Sequence, residues 1–539
     1  MKKYILSFIL ILFLLPGCNN DKFFELTNPP EAPWQSLAEF ENSVGLGYHN
    51  METESYNNAV QMENYIDFTM SELCTNFAGS SNGGFPAYDR SKFNSTNDRS
   101  NEVFIHCYEA IAITNAALEF ASGNPFPQES AAAKELNLTR IVGELHFLRA
   151  WTYAYLVKMY CPAYDKDGTN SAAILPLRLT VAKNMEEANN PKIGTVKEIY
   201  DLIVADLLEA KDKLPAKPTG NMPTSYDAKG RANKYVASAM LGRIYLRMGK
   251  FTEAKAEFDY VISNPDYELV ANPVDCFNKN EHINYLGVKE VVFYQMPYES
   301  FPGTKMPIIG VVISKENGYD TPNPYGGRNP GFHFGNWGAY HLSQAFVKRI
   351  NWLDNNLQAT DVAKRDKRFK QVYYYVKEYK ALAAGQAYDT VYNYQYSQDT
   401  NPAVWIDKYY RSPVAVFSFF PVIRLPEMYL SRAMIKFGSG DKAGAAADVN
   451  VIRKRAWDAT IAGVNFENSS AFLTTANITQ KIILDEYAIE LTPDGRYLDL
   501  LKAFKLPIGP GDRPGESDIN PPYTGLYFPI PAAEARFQN

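Results

Sequence analysis

Apolar positions recur at helical spacing along most of the chain, and two stretches carry that spacing with the same punctuation. In Ile423–Trp457 (IRLPEMYLSRAMIKFGSGDKAGAAADVNVIRKRAW), Pro426 suits a first helical position and Glu427 sits near the positive end of the helix dipole. Gly438 is expected to supply a left-handed stop, and Asp441 to cap a second helix on which Ala445, Val449, Ile452 and Ala456 share a face. Val236–Ile262 repeats the design without a gap: Leu241 matches Leu430, Arg243 Arg432, Gly249 Gly438, Ala254 Ala443, Ala256 Ala445 and Asp259 Asp448.

Small residues after the turn let two helix axes approach closely, as tetratricopeptide-type hairpins require. Further helices are predicted from Ser36 toward Tyr48 and from Thr195 to about Leu214, each opened by a capping box (Ser36/Glu39, Thr195/Glu198), and over Met62–Cys74, Glu102–Ala121, Glu144–Tyr160 and Gln480–Leu491. Glu290–Gln295 reads as a short strand. The predicted fold is mainly α, a tetratricopeptide-like helix-hairpin scaffold over about 36–262 and 342–505 with a few short strands. A loop-rich insertion over about 263–341 interrupts it, and Trp151 and Trp457 are assigned to the core.

Composition changes this picture little; the N-terminus changes it more. A net charge of −6 over 539 residues, with no basic stripe, argues against nucleic acid as a partner. Lys2 and Lys3 precede an apolar run, Tyr4–Leu15, too short to span a bilayer but suited to a signal peptide. The run ends in Leu15-Pro16-Gly17-Cys18, which resembles a bacterial lipobox; a plain signal peptide with an incidental cysteine is the alternative. The predicted organisation is a lipoprotein signal peptide (1–17), a lipid anchor and tether (18–35) acylated at Cys18, and one domain (36–539). Cys74, Cys107, Cys161 and Cys276 lack metal-ligand spacing; buried free thiols are the simpler reading, and their pairing is left open.

Candidate chemistry points to binding rather than catalysis. His49, His106, His146, His282, His333 and His341 form no HExxH or other close metal pair, and His146 lies in a helical pattern as a packing residue. Gly438-Ser439-Gly440 is a helix–helix turn, not a nucleophile elbow. The carboxylate pair Asp485/Glu486 reads as ion-paired rather than as an acid–base pair for glycoside chemistry. Asp165–Asn170 (DKDGTN) is rich in oxygen donors; without the terminal Glu of an EF-hand it reads as an Asx/Gly turn rather than a Ca²⁺ site. No metal and no cofactor is assigned. Sugar rings present apolar faces ringed by hydroxyls, so their recognition favours aromatic platforms beside Asn, Asp or Arg. Two loops carry that mixture: Phe85–Lys92, with Tyr88, Asp89 and Arg90, and Tyr319–Tyr340, with Tyr325, Arg328, Asn336, Trp337 and Tyr340. The competing role for these side chains is to pack the loops onto the scaffold.

The order of several motifs resembles the SusD/RagB nutrient-binding outer-membrane lipoproteins of Bacteroidetes. They are the lipobox, Phe147–Trp151 (FLRAW), Leu175-Pro176-Leu177, Leu241–Ala254 (LGRIYLRMGKFTEA), Arg424–Ala433 (RLPEMYLSRA) and Ile452–Ala456 (IRKRA). Glu486, Glu490-Leu491, Gly495-Arg496 and Asp499-Leu500 follow, then Pro529-Ile530-Pro531 with Glu534. Met434 and Tyr487 depart from the family pattern, where Glu and Arg are frequent, and put local ion pairing in doubt there. The resemblance implies a SusD-like fold and a lipid-anchored place in the outer membrane, facing the exterior. It further implies a SusC-like TonB-dependent transporter as partner and an oligosaccharide as ligand, with no catalysis. Peptide cargo on the same architecture, a surface glycoside hydrolase and a pure assembly adaptor are the competing readings.

Overall fold

A helix apolar on every side must be enclosed by others. The helix enclosed in this way here is largely apolar, with Arg140, Glu144 and Arg149 buried in ion pairs. The structure is a computed structural model, and it describes residues 34–52, 59–74, 90, 98–123, 125–217, 230–277, 288–295, 341–376, 378–379, 391–392, 402–406, 408 and 420–535. The first helices are α1 (Leu37–Glu52), α2 (Ala59–Met70), α3 (Asp98–Ser122) and α4 (Thr139–Tyr160). Nearly every residue of α4 is buried, Trp151 among them, and α1, α3 and the later α5 (Val196–Lys213) pack around it. The starts of α1 and α5 have a local cause. At α1 the Glu39 N–H donates to Ser36 Oγ at 3.2 Å, while the Glu39 carboxylate accepts from the Gln35 N–H at 2.7 Å, one residue earlier than a capping box places it. At α5 the box is reciprocal, Thr195 N–H to Glu198 Oε2 at 2.9 Å and Glu198 N–H to Thr195 Oγ1 at 3.1 Å.

The helices continue as α6 (Lys234–Arg247), α7 (Phe251–Ile262), α8 (Leu425–Gly438), α9 (Lys442–Ala456), α10 (Gln480–Leu491) and α11 (Tyr497–Ala503). The pairs α6–α7 and α8–α9 are the two sequence repeats, and α7 packs on α8, so the hairpins stack. Both turns close in the same way. Lys250 N–H reaches Tyr245 O at 2.9 Å and Gly249 N–H Leu246 O at 3.0 Å; Asp441 N–H reaches Lys436 O at 2.8 Å and Gly440 N–H Phe437 O at 3.0 Å. The left-handed residue of the second turn is therefore Gly440 (φ +91°), not Gly438, which remains the last residue of α8. The helix runs half a turn further than its counterpart, whose stop is Gly249 (φ +70°) as the pattern predicts. Asp441 caps α9, accepting the Gly444 N–H at 2.8 Å.

Between these hairpins the chain is less helical than its pattern suggests. Three short helices (Gln344–Arg349, Asp361–Arg365, Lys367–Gln371) lead into strands of aromatic and β-branched residues. The described strands of three or more residues are β1 (Ala173–Pro176), β2 (Ile193–Thr195), β3 (Val291–Gln295), β4 (Tyr373–Val376), β5 (Ala403–Ile406) and β6 (Phe420–Arg424). They pair antiparallel as β1–β2, β3–β6 and β4–β5. β3 is buried along its whole length, which explains a run of apolar residues without alternation. Cys74, Cys107, Cys161 and Cys276 are buried free thiols. Trp457, assigned to the core from the sequence, is only half-buried: it caps α9, stacked under the Arg365 guanidinium and against Phe466. Met434 and Tyr487, the two departures from the family pattern, are both buried.

Candidate ligand-binding face

The described residues before the first aromatic segment and after the second, Leu73–Cys74 and Leu342–Ser343, meet just past α2, whose end is held by an unusual set of donors. A helix leaves its last carbonyls without partners inside the helix. Here Arg513 donates to the Thr69 carbonyl and, at 2.9 Å, to the Ser71 carbonyl, and Arg90 Nε donates to the Met70 carbonyl at 3.3 Å. Ser343 completes the series: its hydroxyl donates to the Glu72 carbonyl at 2.7 Å and its N–H to the Leu73 carbonyl at 2.8 Å. Successive carbonyls from Thr69 to Leu73 are thus taken by three remote parts of the chain. Cys74 then forms an isolated antiparallel bridge with Leu342, whose N–H reaches Val404 O at 3.0 Å in β5.

The clasp is itself held from the C-terminal side. Asp512 accepts the Gln344 and Ala345 N–H groups at 2.5 and 2.8 Å, opening the short helix that follows Ser343. Arg90 also donates to the Gly509 carbonyl and pairs with Glu516 at 3.1 Å. Gly511 (φ +64°) lies against the Glu72 backbone so closely that a Cβ there would come within 2.7 Å of the Glu72 carbonyl oxygen. The approach requires glycine.

Of the residues that the sequence offered for ligand contact, Tyr88, Asp89, Tyr325, Arg328, Asn336, Trp337 and Tyr340 lie outside the described residues, as does Cys18. Arg90 is described and is 4% exposed, with its guanidinium engaged by the contacts above. It sits at the root of the first loop as a structural tie, which is a different task from the solvent-facing one the sequence suggested. The structure does bring together the described roots of both loops, Leu73–Cys74 for the first and Leu342–Ser343 for the second. Sequence reasoning missed Ser343, Asp512 and Arg513, because nothing local marks a residue whose partner lies hundreds of positions away.

The other side chains weighed for chemistry have the following partners. His146 Nδ1 lies 2.7 Å from Asp206, which also takes Arg149. In the Asp165–Asn170 turn, Lys505 Nζ is 2.9 Å from both Asp165 Oδ1 and Asp167 Oδ2, so the carboxylates already hold a cation. Asp485 pairs with Arg349 at 2.8 Å, and Glu486 with Arg368 at 2.7 Å and Arg453 at 2.6 Å. Burial alone would raise the Glu486 carboxyl, but those two guanidinium groups hold it below the usual range. A concavity of about 380 Å³ lies between α3 and the β1–β2 region, lined by Ile105, Tyr108, Glu109, Arg178 and Ile530 among others. Among the described residues, no helix is long and apolar enough to cross a membrane.

The charged side chains at the centre of the molecule are those on which the late sequence motifs fall. Glu490 Oε1 meets Arg455 at 2.5 Å and Arg424 at 3.0 Å, and its Oε2 meets Arg368 at 3.1 Å. Arg424 also pairs with Glu290 and Asp494, at 3.0 and 2.5 Å. Lys158 lies 2.8 Å from Glu63 and 3.0 Å from Asp499, while Arg496 pairs with Glu63. The first group ties β6, α9 and α10 to the start of β3, and the second ties α11 to α2 and α4.

Comparison with known proteins agrees with this architecture. Residues 22–246 match a family described as starch-binding and associating with the outer membrane, and residues 270–502 match the SusD family. SusD-like protein P2 of Formosa agariphila is 26% identical over 304 residues, 54% of this chain; the match spans about half (52%) of that relative's length. A SusD superfamily protein from Bacteroides thetaiotaomicron superposes with a TM-score of 0.68 at 18% identity, covering 93% of this chain and 98% of that one. A laminarin-binding SusD-like protein does so with a TM-score of 0.64 at 21% identity, covering 93% and 97%. The stacked hairpins, the motif-borne charged centre and two consecutive family matches together place the chain in the SusD/RagB family.

Proposed function

We propose that this protein is a non-catalytic binding protein that captures oligosaccharides at the cell surface, on the loops that carry Tyr88, Asp89, Tyr325, Arg328, Asn336, Trp337 and Tyr340. It then delivers them to a SusC-like TonB-dependent transporter. The observation that carries the reading is the shared root: the Ser343 N–H on the Leu73 carbonyl at 2.8 Å brings the bases of two aromatic-rich segments side by side. Aromatic faces flanked by Asn, Asp and Arg suit a ligand with apolar ring faces and hydroxyl edges. The family's description as starch-binding and the fold shared with a laminarin-binding protein support glycan as the cargo class. In this reading Arg90 positions the first loop rather than touching the ligand. Cys18 carries the lipid that holds the protein on the outer membrane, facing outward.

The decisive experiment is a combined glycan and peptide array, laminarin included, probed with the chain beginning after Cys18. Glycan binding that falls with Trp337→Ala and produces no hydrolysed product supports the proposal. Binding confined to peptides, or turnover of a reporter glycoside, overturns it. For the anchor, Cys18→Ala is expected to leave the membrane fraction, and retention there would refute lipidation. For delivery, a large β-barrel protein is expected to co-purify from outer membranes.

A further inference from the structure

The clasp at the end of α2 does more than satisfy carbonyls. Its donors are drawn from three segments: Arg90 belongs to the first loop, Ser343 follows the second, and Arg513 comes from the C-terminal region. Arg90 and Arg513 are tied to one another through that third segment, since Arg90 donates to Gly509 O and Arg513 Nη1 lies 3.1 Å from Pro510 O. Asp512 accepts the two N–H groups that follow Ser343. All three donors are buried, Arg90 at 4%, Ser343 at 0% and Arg513 at 7% exposure. Displacing any one of them uncovers a carbonyl that water does not reach, and hydrogen bonds from charged donors to such groups are the stronger kind. The roots therefore have no inexpensive way to move independently.

We infer that the carbonyl end of α2 is a common register for the two loops, and that Arg90, Ser343 and Arg513 are positioning residues for ligand capture although none of them touches the ligand. The effect on capture rests on the glycan-binding reading above; the mechanical coupling of the roots does not. A site assembled from two loops binds well only when their separation is fixed before the ligand arrives, because ordering them on binding subtracts from affinity.

Amide hydrogen exchange on the chain beginning after Cys18 tests the coupling without any ligand. In Arg513→Gln, which loosens α2 and the first root, exchange at Leu342 and Ser343 on the second root is expected to rise about tenfold. Ser343→Ala should loosen the α2 end reciprocally. Gly440→Ala, a destabilising change in the distant α8–α9 turn, should leave both roots protected. Unchanged protection at Leu342 and Ser343 in Arg513→Gln overturns the inference. So does an equal rise in Gly440→Ala, which would mean general loosening. With laminarin as probe, Arg513→Gln and Arg90→Gln are expected to weaken binding at least about fivefold while keeping the far-ultraviolet spectrum; Arg513→Lys should recover part of it. Undiminished binding by Arg513→Gln would overturn the positioning role. Absence of binding by the wild type to any glycan would sink the glycan reading alone and leave the exchange result to decide the coupling.

Discussion

A carboxylate 3% exposed persists as an anion only when cations replace the water it has lost, and Glu490 shows how completely this is done. Burial alone would raise its pKa, but Arg455, Arg424, Arg368 and Lys408 hold it well below the ordinary carboxylate range. Glu490→Gln leaves three guanidinium groups facing a neutral amide, so a loss of roughly 3–5 kcal/mol is expected from urea unfolding at neutral pH. The pH dependence follows in sign. A folded-state pKa depressed below the unfolded value near 4.3 contributes stability that is present above that value and lost as pH falls toward the folded one. The wild type should therefore lose stability below about pH 4, and the Glu490→Gln variant should show a flatter profile there. At the same scale, Gly440 tests the reassigned turn. Gly440→Ala forces an L-residue to φ +91° and should cost about 1–2 kcal/mol although nothing lies within 4 Å of the added methyl. Gly438→Ala, inside the helix with only Phe504 at 3.5 Å, should cost nothing or stabilise slightly.

Between elements, the α6–α7 hairpin depends on the absence of a side chain. A Cβ on Gly242 would lie 2.5 Å from Phe258 Cε1 and 2.7 Å from Cδ1, so the ring of α7 occupies the place a methyl would need. Gly242→Ala is expected to lower stability by about 1–3 kcal/mol through overpacking. In combination with Phe258→Leu, the loss should be smaller than the sum of the two single changes, as a double-mutant cycle measures. An additive result would mean that the helices simply move apart. This hairpin was legible in the sequence because its determinants are local: periodicity, a left-handed glycine and small residues past the turn. The α10 boundaries, Gln480–Leu491, were legible for the same reason. The α8–α9 turn was misplaced by two residues because Gly438 and Gly440 both satisfy the local rule, and only the length of α8 selects between them. The β4–β5 pair was overlooked because Tyr373–Val376 and Ala403–Ile406 gain their meaning from each other. The loop compositions that suggest ligand contact were readable, whereas the clasp beneath them was not, since Ser343 and Arg513 look like ordinary polar residues until α2 is set between them.

At the scale of the molecule, the spans matched by the two family descriptions share one hydrophobic core and are also joined by buried charge. Arg243 Nε and Nη2 meet Glu427 at 2.7 and 2.6 Å, across 184 positions of sequence, and Lys158 meets Asp499 at 3.0 Å. Asp67 closes the remaining side by accepting the N–H groups of Tyr497 and Leu498 at 3.0 and 2.9 Å, which opens α11. Helix packing also crosses this boundary, α6 on α11, but a hydrophobic surface tolerates sliding, whereas a bidentate guanidinium–carboxylate pair fixes position. The inter-span pairs therefore link the stability of one side to that of the other. A probe in the first span, such as the fluorescence of Trp151, and one in the second, such as exchange of the α10 amides, should report a single urea transition in the wild type. In Arg243→Met, which leaves the Glu427 carboxylate buried without its partner, both probes should shift together by roughly 3–5 kcal/mol. Separation of the two transitions in the variant alone would assign the coupling to this pair. Separation already in the wild type would show that the spans fold independently and that the charges between them only align two finished halves.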